Sequence, residues 1–214
     1  MSGALSKICG ISTPEAVVSA LEGHAAFVGF VFFPPSPRDL AVETAARLAR
    51  PARGRAKVVA VTVDPTDAQI DAIVSVLAPD LIQLHGRESA ARTRDIRERS
   101  ATGVIKAISV EQESDLTQAG AYDGLVDHLM FDAKTPKEAD LPGGMGARFD
   151  WSLLAGRRFQ RPWFLAGGLD PWNVGEALRG SGAPAVDVSS GVERGPGLKD
   201  PALITAFLDA VRRA

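Results

Sequence analysis

The sequence predicts an α/β chain folded as a (βα)8 TIM barrel, a parallel eight-stranded single domain over residues 1–214. Three observations carry that expectation. Short β-rich apolar runs alternate with amphipathic helical stretches eight times in 214 residues, which leaves a closed barrel or an open doubly wound sheet. The strand runs are nearly continuous in apolar character, as in Val58-Val59-Ala60-Val61, and this suits parallel strands covered on both faces. The first strand ends Cys9-Gly10-Ile11-Ser12, and glycines gather instead after the sixth, seventh and eighth strands. An open sheet that binds a dinucleotide places its glycines after the first strand, whereas a barrel often holds a phosphate after strands seven and eight.

Each unit has its own local reason. Leu5 to Cys9 reads as a strand, and Pro14 to Glu22 as its helix, with Thr13 as N-cap and Pro14 at the first helical position. Phe27 to Phe33 is followed by a helix over Val42 to Ala49, and Lys57 to Val63 by one over Asp67 to Leu77. Leu81 to Leu84 precedes a helix over Ser89 to Arg99, and Gly103 to Ile108 one over Gln112 to Ala119. Leu129 to Asp132 leads into a long loop and a short helix near Trp151. Trp163 to Ala166 precedes Asn173 to Arg179, and Ala185 to Val188 precedes Pro201 to Arg213.

Composition excludes several classes. Hydrophobic residues at 45% and charged residues at 23% argue for a globular chain. With 24 basic against 26 acidic side chains, nothing in the charge attracts nucleic acid or an anionic membrane. The longest apolar run, Ala25 to Phe33, is far short of a membrane span. A cytoplasmic, soluble protein is expected. The single cysteine forms neither an internal disulfide nor a cysteine-based zinc cluster.

Barrel chemistry sits at the C-terminal ends of the strands. Gly167-Gly168 ends the seventh unit's strand, and Asp187-Val188-Ser189-Ser190-Gly191 spans the end of the eighth. Either cluster alone reads equally as a tight turn. Their joint position favours phosphate binding, because glycines expose backbone N–H groups and the Ser189 and Ser190 hydroxyls add donors. Asp132 is either a general acid or a solvated carboxylate paired with Lys134. Cys9 is either a small buried hydrophobe or a thiol that ionises readily beside helix N-termini and a bound substrate. His85, in Gln83-Leu84-His85-Gly86, is a substrate contact or a structural histidine. Arg38 follows the stiff Pro34-Pro35-Ser36-Pro37 turn, which suits it to bidentate carboxylate binding unless it is one more surface arginine. Gly143-Gly144-Met145-Gly146 lacks the Gly-Lys-Ser/Thr of a P-loop and reads as part of a lid over about residues 133–149.

Taken together, Lys7-Ile8-Cys9-Gly10, Ser36-Pro37-Arg38, Gln83-Leu84-His85-Gly86, Asp132-Ala133-Lys134-Thr135-Pro136, Ala166-Gly167-Gly168-Leu169 and Asp187-Val188-Ser189-Ser190-Gly191 resemble phosphoribosylanthranilate isomerase. The likeness runs in order from residue 7 to residue 200. It implies an Amadori rearrangement of N-(5-phosphoribosyl)anthranilate to 1-(2-carboxyphenylamino)-1-deoxyribulose 5-phosphate, in tryptophan biosynthesis. It puts the general base on Cys9, the general acid on Asp132, the anthranilate-binding arginine on Arg38 and the phosphate site on Gly167-Gly168 and Ser190-Gly191. It implies no cofactor and no metal, a small phosphosugar as the partner, and a monomer or homodimer. Two rivals stay open. Another phosphosugar isomerase barrel of the histidine-pathway type would carry two aspartates as its pair, where this chain has Cys9. A non-catalytic phosphosugar-binding barrel would need neither Cys9 nor Asp132.

Overall fold

Among the described residues, eight parallel strands close on themselves in chain order, each bonded to the next and the last to the first. The structure is a computed structural model that describes residues 3–134 and 148–214. Most of the expected lid, Gly143-Gly144-Met145-Gly146 included, lies outside the described residues.

In chain order the elements are β1 (Leu5–Cys9), α1 (Pro14–Glu22), β2 (Phe27–Phe32), α2 (Val42–Ala49), β3 (Lys57–Thr62), α3 (Asp67–Leu77) and β4 (Leu81–Leu84). They continue with α4 (Ala90–Ser100), β5 (Gly103–Val110), β6 (His128–Ala133), β7 (Trp163–Leu165), α5 (Val174–Ser181) and β8 (Ala185–Val188). A two-stranded ribbon, β9 (Glu193–Gly195) and β10 (Leu198–Lys199), precedes α6 (Pro201–Arg213).

Two cores explain why the strands read as unbroken apolar runs. Successive side chains on a strand point to opposite faces. Ile8, Val28, Val58, Ile82 and Phe131 point outward into a layer shared with the helices. Phe27, Val31, Val59, Met130 and Phe164 point inward and fill the barrel. Both faces are dry, so both must be apolar. The helices begin where the sequence supplies caps. Thr13 Oγ1 accepts from the Ala16 N–H, and Thr66 and Gln69 form a reciprocal capping box at 3.2 Å each way.

Three features depart from expectation. The fifth unit's helix is a 3₁₀ segment, Glu113–Ala121. It buries only Leu116 and Ala119, too few apolar residues to hold an α-helix against the sheet. The Asp115 carboxylate also takes the N–H groups of Glu111 and Gln112, tightening the entry. β5 runs on to Val110, and the β9–β10 ribbon was not expected. That ribbon brings Glu193 and Lys199 together as an ion pair at the rim of the barrel.

Candidate active site

β1 carries Lys7 and Cys9 two residues apart, so both face the barrel interior. Cys9 is 7% exposed and Lys7 not at all. Lys7 Nζ donates to Asp187 Oδ1 at 2.8 Å, across the β1–β8 seam where Lys7 and Asp187 are register partners. The ammonium and the Cys9 sulfur lie on the same inward face and attract one another electrostatically. Room for this comes from Gly29, opposite Cys9 on β2. A Cβ at Gly29 would sit 3.2 Å from Lys7 Nζ and 3.3 Å from Cys9 Sγ.

The environment of the thiol corrects one expectation. Burial pushes the Cys9 thiol up, against an opposing pull, so it does not ionise as readily as expected. That pull comes from the Lys7 ammonium and, more weakly, from Lys199, while Asp187 adds to the rise.

β6 carries Asp132 at its C-terminal end, also inward. Its Oδ2 lies 3.0 Å from His85 Nε2, and His85 Nδ1 lies 2.8 Å from Gln83 Nε2. Gln83 projects from β4, fully buried, and its amide nitrogen also reaches Met130 Sδ at 3.4 Å. His85 therefore has both ring nitrogens engaged, which fixes the ring plane beside the acid. The alternative pairing of Asp132 with Lys134 does not occur: Lys134 donates to Glu111 at 2.9 Å. Gly167 has φ +86°, and a Cβ there would meet the Ala133 N–H at 2.5 Å and Asp132 Oδ1 at 2.9 Å. Only glycine leaves the carboxylate its space.

Arg38 is buried, not a surface arginine. Its Nε and Nη2 donate to the two oxygens of Glu193 at 2.7 and 2.8 Å. Lys199 Nζ donates to the same carboxylate at 2.5 Å and to the Ser189 carbonyl at 2.9 Å. Burial pushes the Glu193 carboxyl up, yet Arg38 and Lys199 together hold it below its usual range. The guanidinium is thus fixed by a carboxylate as well as by its proline-rich turn. Gly10, with φ +74°, lets the Arg38 chain cross β1 closely.

Gly167 and Gly168 both adopt positive φ after β7, and the Gly168 carbonyl accepts from Asn173 Nδ2 at 2.9 Å. Ser190–Val192 forms a short 3₁₀ turn after β8, with Gly191 against the backbone of Leu169. The two glycine turns therefore meet at one edge of the barrel mouth. Among the described residues, no cluster of three His, Cys, Asp or Glu side chains could hold a metal ion.

All of the site residues expected from the sequence lie at or near the C-terminal ends of the strands. Lys7, Gln83, Glu193 and Lys199 were not expected. For Lys7 a signal existed: a Lys and an Asp each interrupt an apolar strand, on the first and last strands, which closure makes neighbours.

The chain is similar to known proteins along its whole length. The family model for N-(5'-phosphoribosyl)anthranilate (PRA) isomerase matches residues 6–210. The N-(5'-phosphoribosyl)anthranilate isomerase of Caulobacter vibrioides is 66% identical over 97% of this chain and 95% of that protein. The crystal structure of phosphoribosyl anthranilate isomerase from Thermotoga maritima superposes with a TM-score of 0.88 at 37% identity, covering 99% of this chain and 100% of that one. A second structure, 34% identical with a TM-score of 0.84 over 99% and 100% of the two chains, is of the isomerase in complex with reduced 1-(o-carboxyphenylamino)-1-deoxyribulose 5-phosphate. A third, of mutually generated monomers of the dimeric Thermotoga maritima enzyme, has a TM-score of 0.82 at 34% identity, over 99% and 100%. Similarity along the whole chain, on the same closed barrel, places this protein in the N-(5'-phosphoribosyl)anthranilate isomerase family, enzymes of tryptophan biosynthesis.

Proposed function

We propose that Cys9 is the general base and Asp132 the general acid of this isomerase. Asp132 gives its proton to the furanose ring oxygen, the C1–O bond breaks, and the ring opens to a Schiff base. The Cys9 thiolate then takes the proton from C2, which the iminium neighbour has acidified. The resulting enolamine tautomerises to the ketone. The observation that supports these roles above all is that both groups point inward from the C-terminal ends of β1 and β6, Asp132 beside His85 at 3.0 Å and Cys9 beside the buried Lys7.

Arg38 anchors the anthranilate carboxylate, and the backbone of Gly167, Gly168, Ser190 and Gly191 receives the phosphate. Ser189, Asp187 and His85 complete the lining. The relative solved with the reduced ribulose phosphate supports a ligand of this chemistry. The whole of 1–214 acts as one barrel domain, in the cytoplasm, where a thiol base stays reduced. It works as a monomer or homodimer, and the dimeric Thermotoga relative supports the second.

Cys9→Ala and Asp132→Asn test the roles. Each is expected to lower kcat by roughly 10²–10⁴-fold in a fluorescence assay of substrate consumption. Wild-type turnover in either variant would overturn the assignment.

A further inference from the structure

Lys7 is a charged side chain with no exposed surface, placed one strand turn below Cys9. Burying an ammonium is costly unless it is paired and hydrogen-bonded. Here Asp187 supplies the pair at 2.8 Å, and the neighbouring Cys9 sulfur adds to the pull that keeps the ammonium charged. An apolar pair of similar volume would fill the same space in the barrel without that cost. The strand opposite is cleared of any side chain at Gly29, so ammonium and sulfur share one slot.

We propose that the buried Lys7–Asp187 pair is the positioning device of the base: its ammonium holds the Cys9 sulfur in place and stabilises the thiolate. This rests on Cys9 being the base.

The charged groups around the sulfur are few. Lys7 faces it from β1, Asp187 from β8 and Lys199 from β10, while β2 contributes the uncharged Gly29. Lys199 is already engaged by Glu193, which also holds Arg38. Lys7 is the strongest influence favouring ionisation, against a burial that disfavours it. Asp187 has two opposite effects: it keeps Lys7 charged and itself repels the thiolate.

The chain has one cysteine, so alkylation by iodoacetamide reads Cys9 alone. Lys7→Met is expected to move the midpoint of the alkylation rate against pH upward by at least about one unit. The kcat profile should shift the same way, with kcat at neutral pH down by about tenfold or more and KM within about twofold. Should Lys7→Met fail to fold, Lys7→Met/Asp187→Asn removes both charges together and carries the same upward expectation. An unchanged midpoint in a folded Lys7 variant overturns the proposal. Full activity in Cys9→Ala instead overturns the role of Cys9 itself, whatever the alkylation shows.

Discussion

Arg38 arrives at the site already holding a carboxylate, that of Glu193. A substrate carboxylate must therefore share the guanidinium with Glu193. Removing the anchor costs binding held equally in the ground and transition states, so Arg38→Ala should raise KM more than it lowers kcat. Steady-state kinetics check this; an equal fall in kcat with KM unchanged would remove Arg38 from the anchoring role. Cys9, Asp132, His85 and Arg38 were legible in the sequence because each interrupts or follows a strand at a C-terminal end, where barrel chemistry gathers. Their partners were less legible. Glu193 and Lys199 lie on a ribbon too short for any periodicity to reveal. Gln83 reads as one polar residue in an apolar strand until His85 is seen to turn back on it.

The strands and most of the helices could be read because caps and apolar runs agree locally. The 3₁₀ segment Glu113–Ala121 could not, since its polar residues look helical until one asks what they would bury. Two helix ends, α3 at Ala78 and α4 at Ala101, carry a correctable strain. α4 ends at Ala101 with φ 48°, a left-handed conformation that costs an L side chain roughly 1–2 kcal/mol. Glycine adopts it freely, at the expense of more freedom in the unfolded chain. Ala101→Gly should therefore raise the unfolding free energy by about 0.5–1 kcal/mol in urea titration, with kcat unchanged. A fall in stability would show that the Ala101 methyl contributes packing that its exposed position does not suggest.

In the molecule as a whole, the floor of the barrel is closed by rings. At the floor, His128 packs against Phe27 and Phe164 at ring centroid distances of 5.9 and 5.4 Å. Burial there pushes the His128 imidazole below its ordinary range, and Asp127 opposes this only in part. The unfolded chain then binds the proton more readily, so stability is complete above about pH 6.5 and is lost as the pH falls below it. Melting temperatures between pH 7 and pH 5 should show that decline, and His128→Leu should flatten it. An identical slope in the variant would assign the acid sensitivity elsewhere.

The eight units were legible because one alternation repeats, whereas the pairing across the seam was not, since it depends on ends that only closure joins. Lys7 and Asp187 lie 180 residues apart along the chain and touch only when β1 meets β8. A polypeptide that has folded its first seven units still lacks the counter-ion of Lys7. Ring closure thus buries the lone cysteine beside a paired lysine, and the loss of Cys9 alkylation during refolding is a clock for the last strand to dock.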